Sequence, residues 1–283
     1  MIDFRFLMNN ELIDIKEEND TVCLSVEQQA PSIEFGNLQF EHFDGELETE
    51  NNVFKSFEIT TRFLIKHKDK YDKALKQSEL YRFLFQRKSY FIIHELAPGK
   101  RYPVQPQTIE KETEAVDGTV YVVVFKAFKA YSESIETTLE TQDITSQKWQ
   151  YSQGLLLQDY EYRFTKNHFS IFNLGDFTIN TRKRHYLKIR LRGRSSGSIN
   201  IFNQTTGERF IFNDSLSKSQ KDELVIDGIH CYKNGVIQNI DCNGELITLV
   251  PGKNNIVVEN VSQTNISFDT RFLYKELCIC LLK

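Results

Sequence analysis

The residue types that most often do chemistry are scattered through this sequence. None of the histidines stands in an HExxH or HxH arrangement, so the spacing of a zinc hydrolase is missing. The six histidines are His42, His67, His94, His168, His185 and His230. No GxSxG nucleophile motif is present, and Ser195-Ser196 lie in RGRSSGS, which is typical of a turn between two strands. We therefore predict no catalytic residues, no cofactor and no enzyme activity.

The cysteines give no sign of a metal site. They are Cys23, Cys231, Cys242, Cys278 and Cys280. No CxxC pair occurs, and the spacing between Cys278 and Cys280 is too tight for an ordinary zinc half-site. Scattered thiols in odd number are typical of reduced cysteines in a chain made in a cytoplasm. We predict five free thiols and no metal.

The clearest charged cluster is basic. It begins with Arg182-Lys183-Arg184 and continues with Arg190, Arg192 and Arg194. Because the charges alternate with Leu and Ile in LKIRLR, the simplest interpretation is one solvated face of a strand. The alternative is a basic strip that binds an acidic partner or a polyanion resembling teichoic acid.

The chain as a whole is mildly acidic, with a formal net charge of −4. Such a field argues against sequence-specific nucleic-acid binding and against attraction to anionic membranes. No segment approaches the roughly 20 apolar residues that span a bilayer. We therefore predict no membrane insertion.

Short apolar runs separated by tight turns dominate the chain. Asp117-Gly118, Asn234-Gly235 and Asn243-Gly244 are typical of antiparallel hairpins, since these pairs tolerate positive φ. Segments 245–250 and 266–272 are predicted strands, and 266–272 alternates apolar and polar residues. With 22 Phe and 12 Tyr in 283 residues, the composition favours β-structure and the length favours two domains.

One helix interrupts this pattern, from 69 to about 89. Its apolar residues fall on one helical stripe, with the charged residues mostly off it. The stripe consists of Tyr71, Ala74, Leu75, Tyr81, Leu84 and Phe85. Asp69 is a suitable N-cap. We predict an amphipathic helix packed on a sheet, preceded by a strand at 57–65 and followed by strands at 90–94 and 119–131.

Between 132 and 150 the chain becomes polar, rich in Ser, Thr, Glu and Gln. This change of composition is typical of a domain boundary. We predict an N-terminal β domain at 1–135, a linker at 136–150 that carries Trp149 near its end, and a C-terminal β-sandwich at 151–283.

Two stretches resemble the distal tail proteins of siphophages. In 57–104, a strand containing Arg62 is followed by a helix, a strand and the turn PGKRY. The second half is similar to the family's C-terminal domain, from NLGD at 173–176 through LVPGKN at 249–254 to ISFDTRF at 266–272. The order of these pieces, more than any one of them, carries the resemblance.

The resemblance implies a mainly β fold, with a β-sandwich or split barrel that includes the helix, followed by a galectin-like or carbohydrate-module-like sandwich. It also implies a structural hub at the tail tip of a virion, made in the host bacterial cytoplasm. Six copies would form a ring, single or stacked. The ring would join the tail tube protein and the tape-measure end to the tail-tip protein and, in some phages, to receptor-binding proteins. No interface residues follow from the sequence.

Two features depart from the family pattern. The chain continues past the last aromatic strand with Lys275–Lys283, to which the sequence assigns no role. The second half has no tryptophan beyond Trp149, whereas the sugar site of galectins uses one, so a galectin-like fold brings no sugar binding with it. The alternative function is a carbohydrate-binding module or adhesin that recognises host cell-wall polysaccharide.

Overall fold

The computed structural model describes residues 2–42, 44–49, 52–140, 160–216 and 222–275. These residues divide into two compact units, one from the N-terminus to Ser132 with Lys275, and one from Glu133 to Tyr274. The sequence placed the end of the first domain at 135 and a linker at 136–150. Residues 136–140 lie in the second unit, while the rest of that linker, including Trp149, is outside the described residues.

Antiparallel strands make up most of the first unit. They are β1 (Phe4–Met8), β2 (Glu11–Asp14), β3 (Thr21–Gln28), β4 (Ile33–Glu34), β5 (Val53–Phe54), β6 (Phe57–Lys66), β7 (Tyr90–His94), β8 (Lys100–Glu114) and β9 (Gly118–Ala127). Two helices lie between them, α1 (Ile15–Asn19) and α2 (Lys70–Leu84). The mainly β fold class predicted from the sequence is confirmed.

Seven of these strands form a sheet in the order β2-β1-β7-β8-β9-β6-β3. Ile2, just before β1, forms an antiparallel bridge with Cys23 of β3, and its backbone nitrogen lies 3.1 Å from the Cys23 carbonyl oxygen. This bridge connects the start of β1 to β3, which is the last strand in the sheet order. Strands β1, β7, β8, β9, β6 and β3 therefore enclose a barrel, in which β7 and β6 lie on opposite sides.

The barrel interior is rich in aromatic side chains. Along β6 and β9 every second residue is buried, because successive side chains of a strand point to opposite faces. Phe4 and Phe63 meet edge to face with 5.3 Å between ring centroids, and Phe6 meets Tyr90 in the same way at 5.7 Å. Such ring pairs add stability beyond the burial of their area.

Helix α2 forms as predicted and begins after Asp69. The Asp69 carboxylate accepts hydrogen bonds from the backbone N–H groups of Tyr71 and Asp72, as an N-cap should. The helix ends at Leu84 rather than at 89. Its last turn closes because the Gln86 side-chain amide donates to the carbonyl oxygens one turn back.

The face of α2 that packs on the barrel is not the predicted stripe. Leu80 and Leu84 are buried with a relative exposure of 0% each, and of these only Leu84 belongs to the stripe. Lys73 and Lys76 flank the packed face and pair there with Glu114 and Asp20. Long side chains can cover apolar surface with their stems, which explains why the helix buries a mixed face and leaves the rest of the predicted stripe exposed.

Two sheets form the second unit. Its longer strands are β12 (His168–Asn173), β13 (Leu187–Arg194), β14 (Ile199–Asn203), β15 (Glu208–Phe212), β16 (Glu223–Asp227), β17 (His230–Lys233), β19 (Gly252–Glu259) and β20 (Ser262–Thr270). Short strands are β10 (Ser132–Ser134), β11 (Arg163–Phe164), β18 (Val236–Ile237) and β21 (Leu273–Tyr274). The sheets have the orders β11-β20-β13-β16-β17-β18 and β12-β19-β14-β15. Side chains from both sheets share one core, as in a β-sandwich.

Several turns and strands of the second unit match the sequence-based expectation, and one does not. The Asn234-Gly235 hairpin joins β17 to β18 with φ values of 54° and 80°. The predicted strand at 266–272 is the end of β20, as far as Thr270. The predicted strand at 245–250 is wrong: these residues run outside the ladders, with a single bridge from Leu249 to Ile179.

Candidate assembly surfaces

Among the described residues, His230, Cys231 and Cys242 line one cleft of the second unit, whereas His67, His94 and Cys23 belong to the first unit. In the part of the chain that the structure describes, no three His, Cys, Asp or Glu side chains are placed to hold a metal ion. His67 Nε2 lies 3.0 Å from Thr119 Oγ1, and His230 Nδ1 lies 3.2 Å from Asn239 Nδ2. Each of these histidines is thus engaged by a neutral neighbour rather than by another catalytic group. The helices within the described ranges are too short or too polar to span a bilayer.

The cysteines are thiols wherever the structure describes them. Cys23, Cys231 and Cys242 are free, as predicted, while Cys278 and Cys280 lie outside the described residues. Burial raises the pKa of the Cys23 thiol to about 12 and also raises the pKa of Cys231. Since the thiolate is the reactive form, these buried thiols are inert at neutral pH.

The basic cluster forms a solvated strand face, which confirms the simpler of the two interpretations. Along β13 the buried Leu and Ile residues alternate with Arg190, Arg192 and Arg194, which are exposed. Arg192 pairs with Glu223 of the neighbouring strand at 3.0 Å, and Arg182 pairs with Glu245 at 3.1 Å. An acidic partner for this strip stays a prediction.

Arg62, which carries part of the sequence resemblance, links three strands of the barrel. Its Nη1 lies 2.6 Å from the Glu27 carboxylate on β3, and its Nε lies 3.1 Å from the Glu112 carboxylate on β8. Both hydrogen bonds raise the pKa of the guanidinium, so the charge is permanent. Arg62 therefore holds the outer side of the sheet together, which is a structural role.

Between β3 and β6 the chain leaves the barrel, and we call the described residues of this segment, 29–42, 44–49 and 52–56, the arm. The two sides of the arm pair at β4 and β5 and again at Leu38 and Leu47, where two backbone hydrogen bonds of 2.9 Å connect them. Six large apolar side chains of the arm are exposed by 42% to 57%. They are Ile33, Phe35, Leu38, Phe40, Leu47 and Val53. Sequence reasoning missed the arm, although its apolar residues sit among acidic ones with no helical period.

A second exposed apolar surface lies on α2. Its members are spaced so that they share one side of the helix, and we call this side the outer face of α2. It consists of Tyr71, Ala74, Leu75, Ser78, Tyr81, Arg82 and Phe85. Tyr71 is 74% exposed and Leu75 is 59% exposed. Contiguous apolar surface of this kind marks an interaction site on a soluble protein.

A cleft of the second unit, about 230 Å³ in volume, has both polar and apolar lining. Arg182, His230, Asn239 and Glu245 supply its polar atoms, and Ile229 at its edge is 57% exposed. The Asn239 side chain also accepts a 2.7 Å hydrogen bond from the backbone N–H of Cys231. Asn239 and Arg182 are thus already bonded to other residues of the second unit, which indicates a structural role for the polar lining of the cleft.

Part of the first unit matches the model of a known protein family. Residues 13–124 match the family model described as a phage tail protein RIFT-related domain. The matched range covers most of the first unit and less than half of the whole chain. The predicted helix, the arm, Arg62 and most of the barrel all lie inside the matched range. No curated protein sequence matches the chain.

Over nearly its whole length, the chain is similar in fold to the Dit protein of phage SPP1. That protein is described as a paradigm of the hub adsorption apparatus in phages that infect Gram-positive bacteria. The likeness has a TM-score of 0.68 at 12% sequence identity, over 96% of this chain and 99% of that one. A chain of the phage p2 baseplate in its activated conformation matches over 96% and 98% of the two lengths, at 8% identity and a TM-score of 0.48. The predicted resemblance to siphophage distal tail proteins is confirmed.

Proposed function

We propose that this chain is a structural distal tail protein, a hub at the tip of a siphophage tail. The observation that carries the proposal is the combination of a RIFT-related tail domain with the Dit fold over 96% of the chain. A structural role accords with the surfaces, since the described residues include exposed apolar patches and an exposed strip of arginines. The protein would lie in the virion, at the end of the tail.

In this proposal six copies form a ring through the first unit. That unit carries two separate exposed apolar surfaces, the arm and the outer face of α2. A protein with two different complementary surfaces associates head to tail, and such an association closes into a ring when the rotation between neighbours fits. The ring would continue the tail tube on one side and receive the tail-tip protein on the other.

The second unit would supply the contacts to further baseplate components. It is a separate β-sandwich with its own core, so it can present loops and strand faces without disturbing the ring. The exposed arginines of β13 are one such face, and acidic surfaces of receptor-binding proteins are the partners that would fit it.

Co-purification tests the proposal. The full-length chain is co-expressed with the tail tube protein and the tail-tip protein of the same phage, each with a different affinity tag. We expect both neighbours to be retained with the full-length chain at physiological salt. Retention of neither would contradict the hub role. Binding of the full-length chain to host cell-wall polysaccharide without either neighbour would favour the carbohydrate-binding alternative instead.

A further inference from the structure

We propose that the arm of one copy docks on the outer face of α2 of the next copy. This inference rests on the proposed ring and names the surfaces that would close it. The two surfaces lie on the first unit, are both apolar and exposed, and carry opposite charge. The partner is therefore a second copy of this chain.

The outer face of α2 has the composition of a binding surface. Tyr81 and Phe85 form an edge-to-face pair with 6.4 Å between ring centroids, and Tyr71 lies under the Lys70 ammonium at 5.0 Å. Aromatic residues next to cations are frequent at the centres of protein interfaces, where they bury a large area with few rotatable bonds. Helix α2 packs on the barrel through Leu80, Phe83 and Leu84, which leaves its outer face open to another molecule.

The two surfaces carry opposite net charge. Segment 66–88, which includes α2, has eight Lys or Arg residues against three Asp or Glu, whereas segment 29–56, which includes the arm, has six Asp or Glu against one Lys. Among the described residues, Arg82, Arg87 and Lys88 make no ion pair, and neither do Glu41 and Asp44 of the arm. These side chains are available to a partner of opposite charge.

The topology of the barrel places the two surfaces where a head-to-tail contact needs them. The arm connects β3 to β6. Helix α2 ends a few residues before β7 begins. Strands β6 and β7 lie on opposite sides of the barrel. Tyr90 pairs with Val104 of β8, and Phe57 pairs with Ala127 of β9. Because Val104 and Ala127 also pair with each other, Tyr90 and Phe57 lie at the same end of the barrel. An arm at one side of a subunit can thus reach the helix end at the facing side of its neighbour.

Charge reversal in trans tests the pairing. An arm variant carries Glu41→Lys, Glu46→Lys and Glu48→Lys, and a helix variant carries Lys70→Glu, Arg82→Glu and Lys88→Glu. In either variant alone, arm and helix have like charge, so self-association of the full-length chain should weaken at least about tenfold. Mixed in equal amounts, each arm meets a helix of opposite charge, so assembly should return. Light scattering and electron microscopy of both variants and their mixture measure this.

The outcomes separate this inference from the proposed function. If the unmodified chain forms rings and both charge variants form them equally well, the arm–helix contact is wrong while the hub role stands. If the two variants fail alone and also fail together, although circular dichroism shows them folded, the pairing is wrong as well. An unmodified chain that never self-associates, even with its tail neighbours, overturns both. The triple variant Lys166→Glu, Val236→Lys and Ile240→Lys, at exposed sites of the second unit outside the β13 arginine strip, serves as the control and should assemble normally.

Discussion

His94 and Tyr102 stack in the barrel core, with ring centroids 5.2 Å apart and an angle of 18° between the ring planes. His94 is 3% exposed, and both of its ring nitrogens are buried without a hydrogen-bond partner among the described residues. Burial, with a smaller effect of Lys100, lowers the pKa of His94 to about 4. The fold therefore accepts only the neutral imidazole.

Acid should destabilise the first unit through His94. The unfolded chain takes up a proton at the ordinary histidine pKa near 6.5, and the folded chain does so only near 4. Stability is thus full above pH 6.5 and falls as the pH drops towards 4, by about 3 kcal/mol in total. Urea unfolding of the full-length chain from pH 7 to pH 4.5 measures the slope. His94→Phe should flatten it, whereas His168→Gln, at an exposed site, should not; equal slopes in all three proteins would contradict this account.

The stability of helix α2 should depend on its buried residues Leu80 and Leu84 rather than on the exposed residues of its outer face. Leu80→Ala removes a side chain with 0% exposure, so we expect a loss of about 2–5 kcal/mol in the free energy of unfolding. Leu75→Ala, on the outer face, should change the stability of the isolated subunit by less than about 0.5 kcal/mol. Chemical denaturation followed by circular dichroism compares the two. Similar losses would mean that α2 packs through its outer face.

Gly175 sits where no side chain fits. A Cβ atom there would lie 2.6 Å from the carbonyl oxygen and 2.8 Å from the backbone nitrogen of Leu273. Gly175→Ala must therefore displace backbone, at a cost of about 2 kcal/mol. Gly197, in the RGRSSGS turn, has open space around its Cβ position, so Gly197→Ala should change stability by less than about 1 kcal/mol. Thermal unfolding of both variants checks the contrast, and an unaffected Gly175→Ala protein would show that the turn is placed wrongly.

Asn254 should be essential to the stability of the second unit. Its side chain is buried, accepts a 3.0 Å hydrogen bond from the backbone N–H of Val250 and donates to the Val250 carbonyl oxygen at 2.8 Å. Asn254→Ala leaves these groups unsatisfied, which predicts a loss of about 2–4 kcal/mol. Asn255 is exposed and bonds only Ser170 through its side chain. Asn255→Ala should cost less than about 1 kcal/mol in the same urea titration; equal effects would refute the buried network.

The positions of helices and strands were easier to predict from the sequence than the side of each helix that packs against the core. The Asp69 cap and the absence of Gly and Pro predicted helix α2, but its packed face depends on which side chains reach the barrel. Strand β8 was not predicted, because Pro103 and Pro106 argue against a strand. The structure accommodates Pro106 next to a break in register with β9, where a proline costs little.

Segment 245–250 shows a second limit of periodicity. Its apolar residues are buried, as in a strand, but its backbone is satisfied by side chains rather than by a ladder. Asn203 Nδ2 donates to the Thr248 carbonyl oxygen at 2.7 Å, and the Thr248 N–H donates to Glu208 at 2.6 Å. Such long-range partners cannot be read from local sequence. The assembly surfaces were missed for a related reason, since exposure of the arm and of α2 depends on the whole fold.

Electron microscopy of the purified full-length chain tests the central claim most directly. We expect class averages of negatively stained particles to show a ring with six-fold symmetry and a central pore, single or stacked. A light-scattering mass of six protomers of 33.2 kDa, or a multiple of it, should accompany them. A monomer at high concentration that stays monomeric when the tail tube and tail-tip proteins are added would contradict the account of this chain as a tail hub.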